Sequence, residues 1–145
     1  MTLHILKLGV GAESVDDMVQ WHAHQSAERK RAGLDPRPVC DTRMAPKQRD
    51  AVLDGGSLYW VVKGVILVRQ RILDIVEIRD PVLGSRCEIV LENIHHRTAP
   101  QPRRAFQGWR YLKPEDAPAD LGGPGADGAE LPDHLRRELI ALGAW

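Results

Sequence analysis

The sequence predicts an α+β protein, in which a mixed β-barrel or sheet carries flanking helices. The first observation is a run of β-branched, aliphatic and aromatic residues from Ser57 to Asp80, interrupted only by Lys63-Gly64. This pattern is typical of a β-hairpin with a tight turn. The second observation is that apolar residues at helical spacing occur only in the first 53 residues of the region before residue 113. The third is a series of short strand-like runs after residue 80. Consecutive strands with early helices favour α+β over a parallel α/β fold.

The first 53 residues predict a strand, a helix, a short strand and a short helix. Residues 2–10 alternate, with Leu3, Ile5 and Lys7 on one face. Ser14 is a suitable N-cap, and apolar residues then recur at helical spacing to about Arg31. Residues 39–44 predict a short strand, and residues 47–53 predict a short helix that a Gly-Gly pair closes.

Two further strands are predicted after the hairpin, at residues 86–92 and 106–112. Composition then changes to Pro, Gly, Ala and Asp, which is typical of an extended arm. Pro132 at a first helical position predicts a final helix with leucines on one face. We therefore expect an α+β domain at 1–113, an arm at 114–130 and a C-terminal helix at 131–145. We expect that helix to pack on the domain or on a partner, such as a second copy of the chain.

Charge is unevenly distributed although the formal net charge is zero. Residues 29–113 carry 17 Lys or Arg against 9 Asp or Glu, whereas the flanking segments are acidic. Fifteen of the 20 cationic residues are Arg, which suits bidentate phosphate contacts and stacking on bases. A basic body with an acidic tail is compatible with a polyanionic partner, and the tail could compete for the same surface.

Several classes of protein are excluded or disfavoured by composition. The two cysteines lack C-x-x-C spacing, so neither a disulfide scaffold nor a zinc knuckle is indicated. The N-terminal apolar run is too short for a signal peptide, and no apolar stretch approaches the roughly 18 residues of a membrane span. We therefore expect a cytoplasmic protein that does not bind membranes.

Four segments carry a resemblance to the PUA-like superfamily, and within it to the EVE and YTH branches. They are a strand entering a capped helix, a short helix with a glycine turn, the hairpin, and a following strand: HILKLGVGAESVDDMVQW, KQRDAVLDGG, SLYWVVKGVILVRQRILDIVEIRD and CEIVLENIHHR. The whole chain also resembles a bacterial family of uncharacterised conserved proteins, through GGSLYWVVKG, RQRILDI and FQGWRYLKPEDAP. The PUA-like resemblance covers roughly residues 3–112 and implies recognition of RNA or a modified base. In those branches an aromatic pocket lies between the first strand, the following helix and the barrel.

Aromatic and cationic residues are the candidate nucleic-acid contacts. Stacking on an exposed Trp contributes about 1–3 kcal/mol per base. Trp109, beside a glycine, is expected to be the most exposed, Trp21 lies at the edge of a helix face, and Trp60 is expected in the core. Phosphate contacts are expected from the cations of the basic body: Arg43, Lys63, Arg69, Arg71, Arg103, Arg104 and Arg110. Arg69 and Arg71 share one strand face and would repel unless an acid such as Asp74, Glu77 or Glu88 lies between them.

No catalytic residue, metal site or cofactor is predicted. A metal site would need one histidine from His22 and His24 and another from His95 and His96, and chance placement explains these residues better. The leading hypothesis is thus an RNA-binding or modified-nucleotide-binding module. A small enzyme or binding protein for an anionic small molecule, and a protein-interaction module, remain as alternatives.

Overall fold

The computed structural model describes residues 2–82, 84–104 and 106–121. Within these ranges, two α-helices and a short 3₁₀ helix accompany seven strands. In chain order the elements are β1 (His4–Leu8), α1 (Val15–Arg31), β2 (Val39–Thr42), α2 (Arg49–Leu53), β3 (Ser57–Val62), β4 (Val65–Asp80), β5 (Gly84–Leu91), β6 (His96–Pro102), β7 (Trp109–Leu112) and the 3₁₀ helix Pro114–Asp116. The predicted α+β class is confirmed.

All seven strands form one mixed sheet in the order β2-β5-β4-β3-β1-β7, and β6 pairs with β4 outside this path. The pair β1–β3 is parallel, and the other pairs are antiparallel. The first half of β4 pairs with β3 and β6, and its second half pairs with β5 after a register shift between Ile72 and Asp74. The sheet is open, because its end strands β2 and β7 form no ladder with each other within the described residues.

The sheet separates two layers of buried side chains, as the alternation in β1 predicts. Leu3 and Ile5 belong to the larger layer, which α1 and α2 cover. Leu6 belongs to the smaller layer on the opposite face, against Phe106 and the segment after β7. We call these the helix face and the outer face of the sheet.

Local sequence explains why α1 begins at Val15. The Ser14 hydroxyl accepts a hydrogen bond from the Asp17 backbone N–H at 3.2 Å, which satisfies one of the unpaired donors of the first turn. Asp16 and Asp17 lie near the positive end of the helix dipole, and basic residues occupy the last turn. The buried residues of this helix are Val15, Met18 and His22.

Two glycines shape the hairpin region. Lys63 and Gly64 both have positive φ, of 50° and 81°, which is the geometry of a two-residue hairpin turn that joins β3 to β4. Gly56 precedes β3, and a Cβ there would lie 2.2 Å from the Leu3 carbonyl oxygen and 2.3 Å from that of Val52. Only glycine therefore lets α2 pass so close to the start of β1.

Strand β6 was not predicted, because its sequence contains two prolines and little alternation. Residues 114–121, which belong to the predicted arm, lie beside it: Ala99 N–H donates to the Ala119 carbonyl at 2.8 Å, and Leu121 N–H donates to that of Arg97 at 2.9 Å. The predicted C-terminal helix at 131–145 and the oligomer contact assigned to it lie outside the described residues. No α-helix among the described residues is long and apolar enough to cross a membrane.

Candidate functional site

A cleft opens on the helix face, between α1 and the ends of β1 and β2. Its volume is about 250 Å³. The lining combines aromatic, neutral polar and charged side chains with aliphatic ones: Lys7, Leu8, Val10, Trp21, His22, Gln25, Val39, Cys40, Asp41 and Trp60. We call this the Trp21 cleft.

Trp60 forms the inner wall of the Trp21 cleft and is 3% exposed, which confirms its predicted place in the core. Its indole Nε1–H donates to Gln70 Oε1 at 2.8 Å, and Gln70 Nε2 donates to the Glu92 carbonyl at 3.0 Å. Gln70 is fully buried, so these bonds form without competition from water. The orientation of the Trp60 ring is therefore fixed before any ligand arrives.

Trp21 stands at the mouth of the cleft with 51% of its surface exposed. Its ring is nearly parallel to that of His22, with a centroid distance of 5.8 Å and an interplanar angle of 7°. Exposed tryptophan is unusual in a surface helix because burial of the ring would be favourable. Trp21 thus presents an aromatic surface to solvent at the entrance of the Trp21 cleft.

His22 and His95 form a hydrogen-bonded pair behind Trp21, with 2.8 Å between His22 Nδ1 and His95 Nε2. Burial, and secondarily the neighbouring His95, lowers the pKa of His22 to about 4. Burial also lowers the pKa of His95 to about 4, with His96 as the smaller cause. Both imidazoles are consequently neutral at pH 7, and one ring donates the shared proton to the other.

Gln25 closes the side of the Trp21 cleft by binding the edge of β2. Its Nε2 donates to the Val39 carbonyl at 3.3 Å, and its Oε1 accepts from the Val39 N–H at 3.2 Å. These two bonds imitate a neighbouring strand and hold α1 against the sheet. Burial raises the pKa of the adjacent Cys40 thiol to about 12, so this thiol is unsuited to nucleophilic chemistry.

A second hollow of about 560 Å³ adjoins the cleft and shares Lys7 and Asp41 with it. Its lining is mainly apolar and includes exposed Met44: Lys7, Asp41, Thr42, Arg43, Met44, Gln107, Gly108 and Trp109. We call it the Trp109 trough. The cleft and the trough together form one groove along the open end of the sheet.

Lys7 lies at the centre of this groove. In β1 it is paired with Trp60 of β3 on one side and with Trp109 of β7 on the other. Residues paired across neighbouring strands point to the same face, so an aromatic–cation–aromatic row crosses three strands of the helix face. Lys7 forms no ion pair within the part of the chain that the structure describes.

The expectation that Trp109 is the most exposed aromatic was wrong. Its ring is half-buried, packs edge-on against Tyr111 at 4.9 Å, and donates from Nε1 to the Met44 carbonyl at 2.8 Å. That bond links the segment after β2 to β7. Trp109 was expected to be exposed because Gly108 and Arg110 flank it. Trp21 is instead the more exposed of the two tryptophans.

The predicted cations do not converge on one surface. Arg43 lies in the Trp109 trough, whereas Lys63 in the hairpin turn pairs with Glu13 at 2.6 Å. Arg69 donates two hydrogen bonds to the Asp120 carboxylate, both at 2.7 Å, and one to the Ser57 hydroxyl at 2.9 Å. Its acidic partner thus comes from the segment after β7.

The three acids suggested as partners of Arg69 are placed elsewhere. Asp74 pairs with Arg49 at 3.0 Å, and Glu88 lies 3.6 Å from Arg86. Glu77 forms no ion pair within the described residues. The sequence separation of 51 residues between Arg69 and Asp120 explains why their pairing was not anticipated.

The remaining predicted cations lie away from the groove. Arg103, Arg104 and Arg110 line a hollow of about 470 Å³ on the outer face, where the Arg110 guanidinium lies 5.3 Å from the centre of the Phe106 ring. Arg71 is exposed and lies two residues from Arg69 on the same strand. The structure therefore brings Trp21, Trp109 and Arg43 to one groove and separates them from the other candidates.

Sequence reasoning missed Lys7, Gln25 and the pairing of His22 with His95. The two histidine pairs were considered, but 73 residues separate the partners that meet. Gln25 carried no signal because its role depends on the position of β2. Within the described residues, no three His, Cys, Asp or Glu side chains lie close enough together to hold a metal ion.

The fold and groove define a small α+β protein with an aromatic and cationic groove at the open end of its sheet. The chain belongs to the family described as "Protein of unknown function (DUF1489)", whose family model matches residues 5–145. No curated protein and no solved structure matches the sequence.

Proposed function

We propose that the chain is a nucleic-acid-binding module for RNA or a modified nucleotide, and that it takes one base into the Trp21 cleft. The observation that carries this proposal is the exposed Trp21 ring at the mouth of a cleft whose inner wall is a fixed Trp60 ring. Aromatic faces bind bases of any sequence, because every base has a π-face. The cleft also lies between the first strand and the following helix, where the PUA-like resemblance places a base pocket.

The size of the Trp21 cleft limits what enters it. Pockets for drug-sized ligands usually span about 300–1,000 Å³. A volume of about 250 Å³ fits a planar base and leaves the ribose and phosphate outside. The neutral side chains of His22 and Gln25 border the cleft, so polar edges of a base can be bound without burying a charge.

Unpaired cations surround the place where the phosphate would remain. Lys7 and Arg43 line the groove, and neither forms an ion pair within the described residues. By contrast, Lys63 and Arg69 are already neutralised by Glu13 and Asp120. In this proposal Arg71, Arg103, Arg104 and Arg110 supply long-range attraction that is independent of sequence. The proposal also places the protein in the cytoplasm.

Titration of intrinsic tryptophan fluorescence with mixed RNA and DNA decamers tests the proposal. We expect quenching that weakens as salt rises, since phosphate contacts release counterions. Trp21→Ala removes the stacking surface and weakens binding by about fivefold to 150-fold. Arg43→Gln weakens binding and lowers its salt dependence, whereas the control Arg79→Gln, at the far end of β4, does neither. Absence of any response at low salt overturns the proposal.

An anionic small molecule is the second candidate, and it would use the same groove. The observation that favours it is the set of neutral polar groups around His22 and Gln25 beside two cations, Lys7 and Arg43, that pair with no acid among the described residues. Native mass spectrometry of the purified protein decides between the two candidates. A retained small molecule, together with no binding of decamers, favours this alternative.

A further inference from the structure

The groove on the helix face is longer than one base requires. The Trp21 cleft and the Trp109 trough are separate hollows of about 250 and 560 Å³ that meet at Lys7 and Asp41. Each contains a tryptophan ring: Trp60 in the first and Trp109 in the second. A ligand that fills only the Trp21 cleft leaves the larger and more apolar hollow empty.

Resting on the proposed function, we infer that the groove binds two consecutive nucleotides of a single strand. One base occupies the Trp21 cleft, the next lies against Trp109 and Met44, and Lys7 binds the phosphate that links them. The pairing of Lys7 with Trp60 and Trp109 in adjacent strands carries this inference, because it places the cation between the two aromatic rings.

The spacing of the strands determines how the two bases are arranged. Neighbouring strands lie about 4.8 Å apart, so the backbone positions of Trp60 and Trp109, one strand on each side of Lys7, are separated by roughly 10 Å. Bases stacked in a duplex strand are about 3.4 Å apart. The two bases therefore cannot stack on each other in the groove, and a single strand, not a duplex, is the form that fits.

The charges along the groove agree with a bound phosphate between the bases. Asp41 is shared by both hollows, but its carboxylate accepts a hydrogen bond from Arg86 at 2.8 Å, which offsets its charge. Lys7 and Arg43 remain as cations that no described acid neutralises. One phosphate between two bases matches this arrangement.

A comparison of mononucleotides with dinucleotides tests the inference. The probes are the four nucleoside 5′-monophosphates and the matching dinucleoside monophosphates ApA, CpC, GpG and UpU, each titrated by tryptophan fluorescence. A dinucleoside monophosphate has one phosphate and less negative charge than a mononucleotide, so any gain in affinity comes from the second base. We expect the best dinucleotide to bind about fivefold to 150-fold more tightly than its mononucleotide.

Two variants locate the second base. Met44 is 68% exposed, so Met44→Ala removes apolar surface from the Trp109 trough without disturbing the core and without adding a charge near Lys7 and Arg43. It should reduce the gain in affinity of a dinucleotide over its mononucleotide. The control Val82→Ala shortens an apolar side chain at an 87% exposed position in the β4–β5 turn, and it should leave that gain unchanged. Lys7→Met should reduce the salt slope of decamer binding by about 0.7, the value for one phosphate contact on a single strand.

The outcomes separate this inference from the proposed function. If decamers bind but dinucleotides bind no more tightly than mononucleotides, the two-base arrangement is wrong and the nucleic-acid proposal stands. A dinucleotide gain that is undiminished in Met44→Ala also overturns the arrangement. If neither decamers nor nucleotides bind, both are wrong.

Discussion

The imidazoles of His22 and His95 share a hydrogen bond of 2.8 Å that joins α1 to the segment between β5 and β6. The same His22 ring lies 5.8 Å from Trp21 and 5.7 Å from Trp60. A bond between two elements far apart in sequence thus positions both aromatic walls of the Trp21 cleft. Protonation of either imidazole would therefore affect both the stability of the fold and the positions of the two tryptophan rings.

The histidine pair makes the free energy of unfolding depend on pH. Both rings have folded-state pKa values of about 4, below the ordinary value of 6.5. Between these values the unfolded chain binds more protons than the folded protein, so stability decreases as pH falls from 6.5 towards about 4. Since each ring contributes up to about 1.4 kcal/mol per pH unit, we expect urea denaturation to show a loss of about 1–2 kcal/mol per pH unit between pH 7 and pH 5.

Two variants isolate this contribution. His22→Gln and His95→Gln should each reduce the loss of stability between pH 7 and 5. His24→Gln, on the same helix with a side chain that is 73% exposed, should leave the pH dependence unchanged. An unchanged slope in both of the first two variants contradicts the assignment.

Gln70 is expected to contribute strongly to stability through its two side-chain hydrogen bonds. Gln70→Leu leaves the buried Trp60 indole N–H without a partner, at a cost of about 1–3 kcal/mol, and removes the part-buried bond to the Glu92 carbonyl, at a cost of about 1 kcal/mol. Urea denaturation should therefore show a destabilisation of about 2–4 kcal/mol. Glu77→Leu, an exposed position on the same strand, should change stability by less than about 0.5 kcal/mol. Equal effects of the two variants would refute the buried network.

The Arg69–Asp120 pair should anchor the segment after β7. The hydrogen bond from Arg69 lowers the pKa of Asp120, so its contribution is present above the ordinary pKa of 3.8 and is lost as pH falls through the folded value. Since the pair is partly exposed, Asp120→Asn should destabilise the fold at pH 7 by about 1 kcal/mol. Glu115→Gln, an exposed acid in the same segment, serves as control and should have no measurable effect.

The cysteines should be unreactive in the folded protein. Burial raises the pKa of both thiols, that of Cys40 to about 12, so little thiolate exists at pH 8. We expect Ellman's reagent to modify neither cysteine of the native protein within minutes, and both at once in concentrated urea. Fast modification of native protein would show that the wall of the Trp21 cleft opens.

Local patterns were sufficient to predict most of the elements. The Ser14 cap, the Lys63-Gly64 turn and the alternation in β1 depend on neighbouring residues, and each is found where it was predicted. Strand β6 was missed because its two prolines and weak alternation are typical of a loop. This segment is extended because it pairs with β4, and that pairing is not encoded in its local sequence.

The site was less predictable because it depends on pairings across the fold. Trp21 could be placed at a helix edge from periodicity alone, but the role of Lys7 depends on its register with two other strands. The exposure of Trp109 was misjudged because its neighbours Gly108 and Arg110 are polar or small, whereas its actual partners, Met44 and Tyr111, are set by the sheet.

Observation of the tryptophan indole N–H signals by NMR tests the central claim most directly. The four tryptophans give separate signals in ¹⁵N-labelled protein, and Trp21→Phe and Trp109→Phe assign the two that matter. On addition of a single-stranded RNA decamer, we predict that the Trp21 and Trp109 signals shift together and with the same apparent affinity. Binding of the decamer that leaves both signals unmoved would contradict the account, since the nucleic acid would then lie outside the groove.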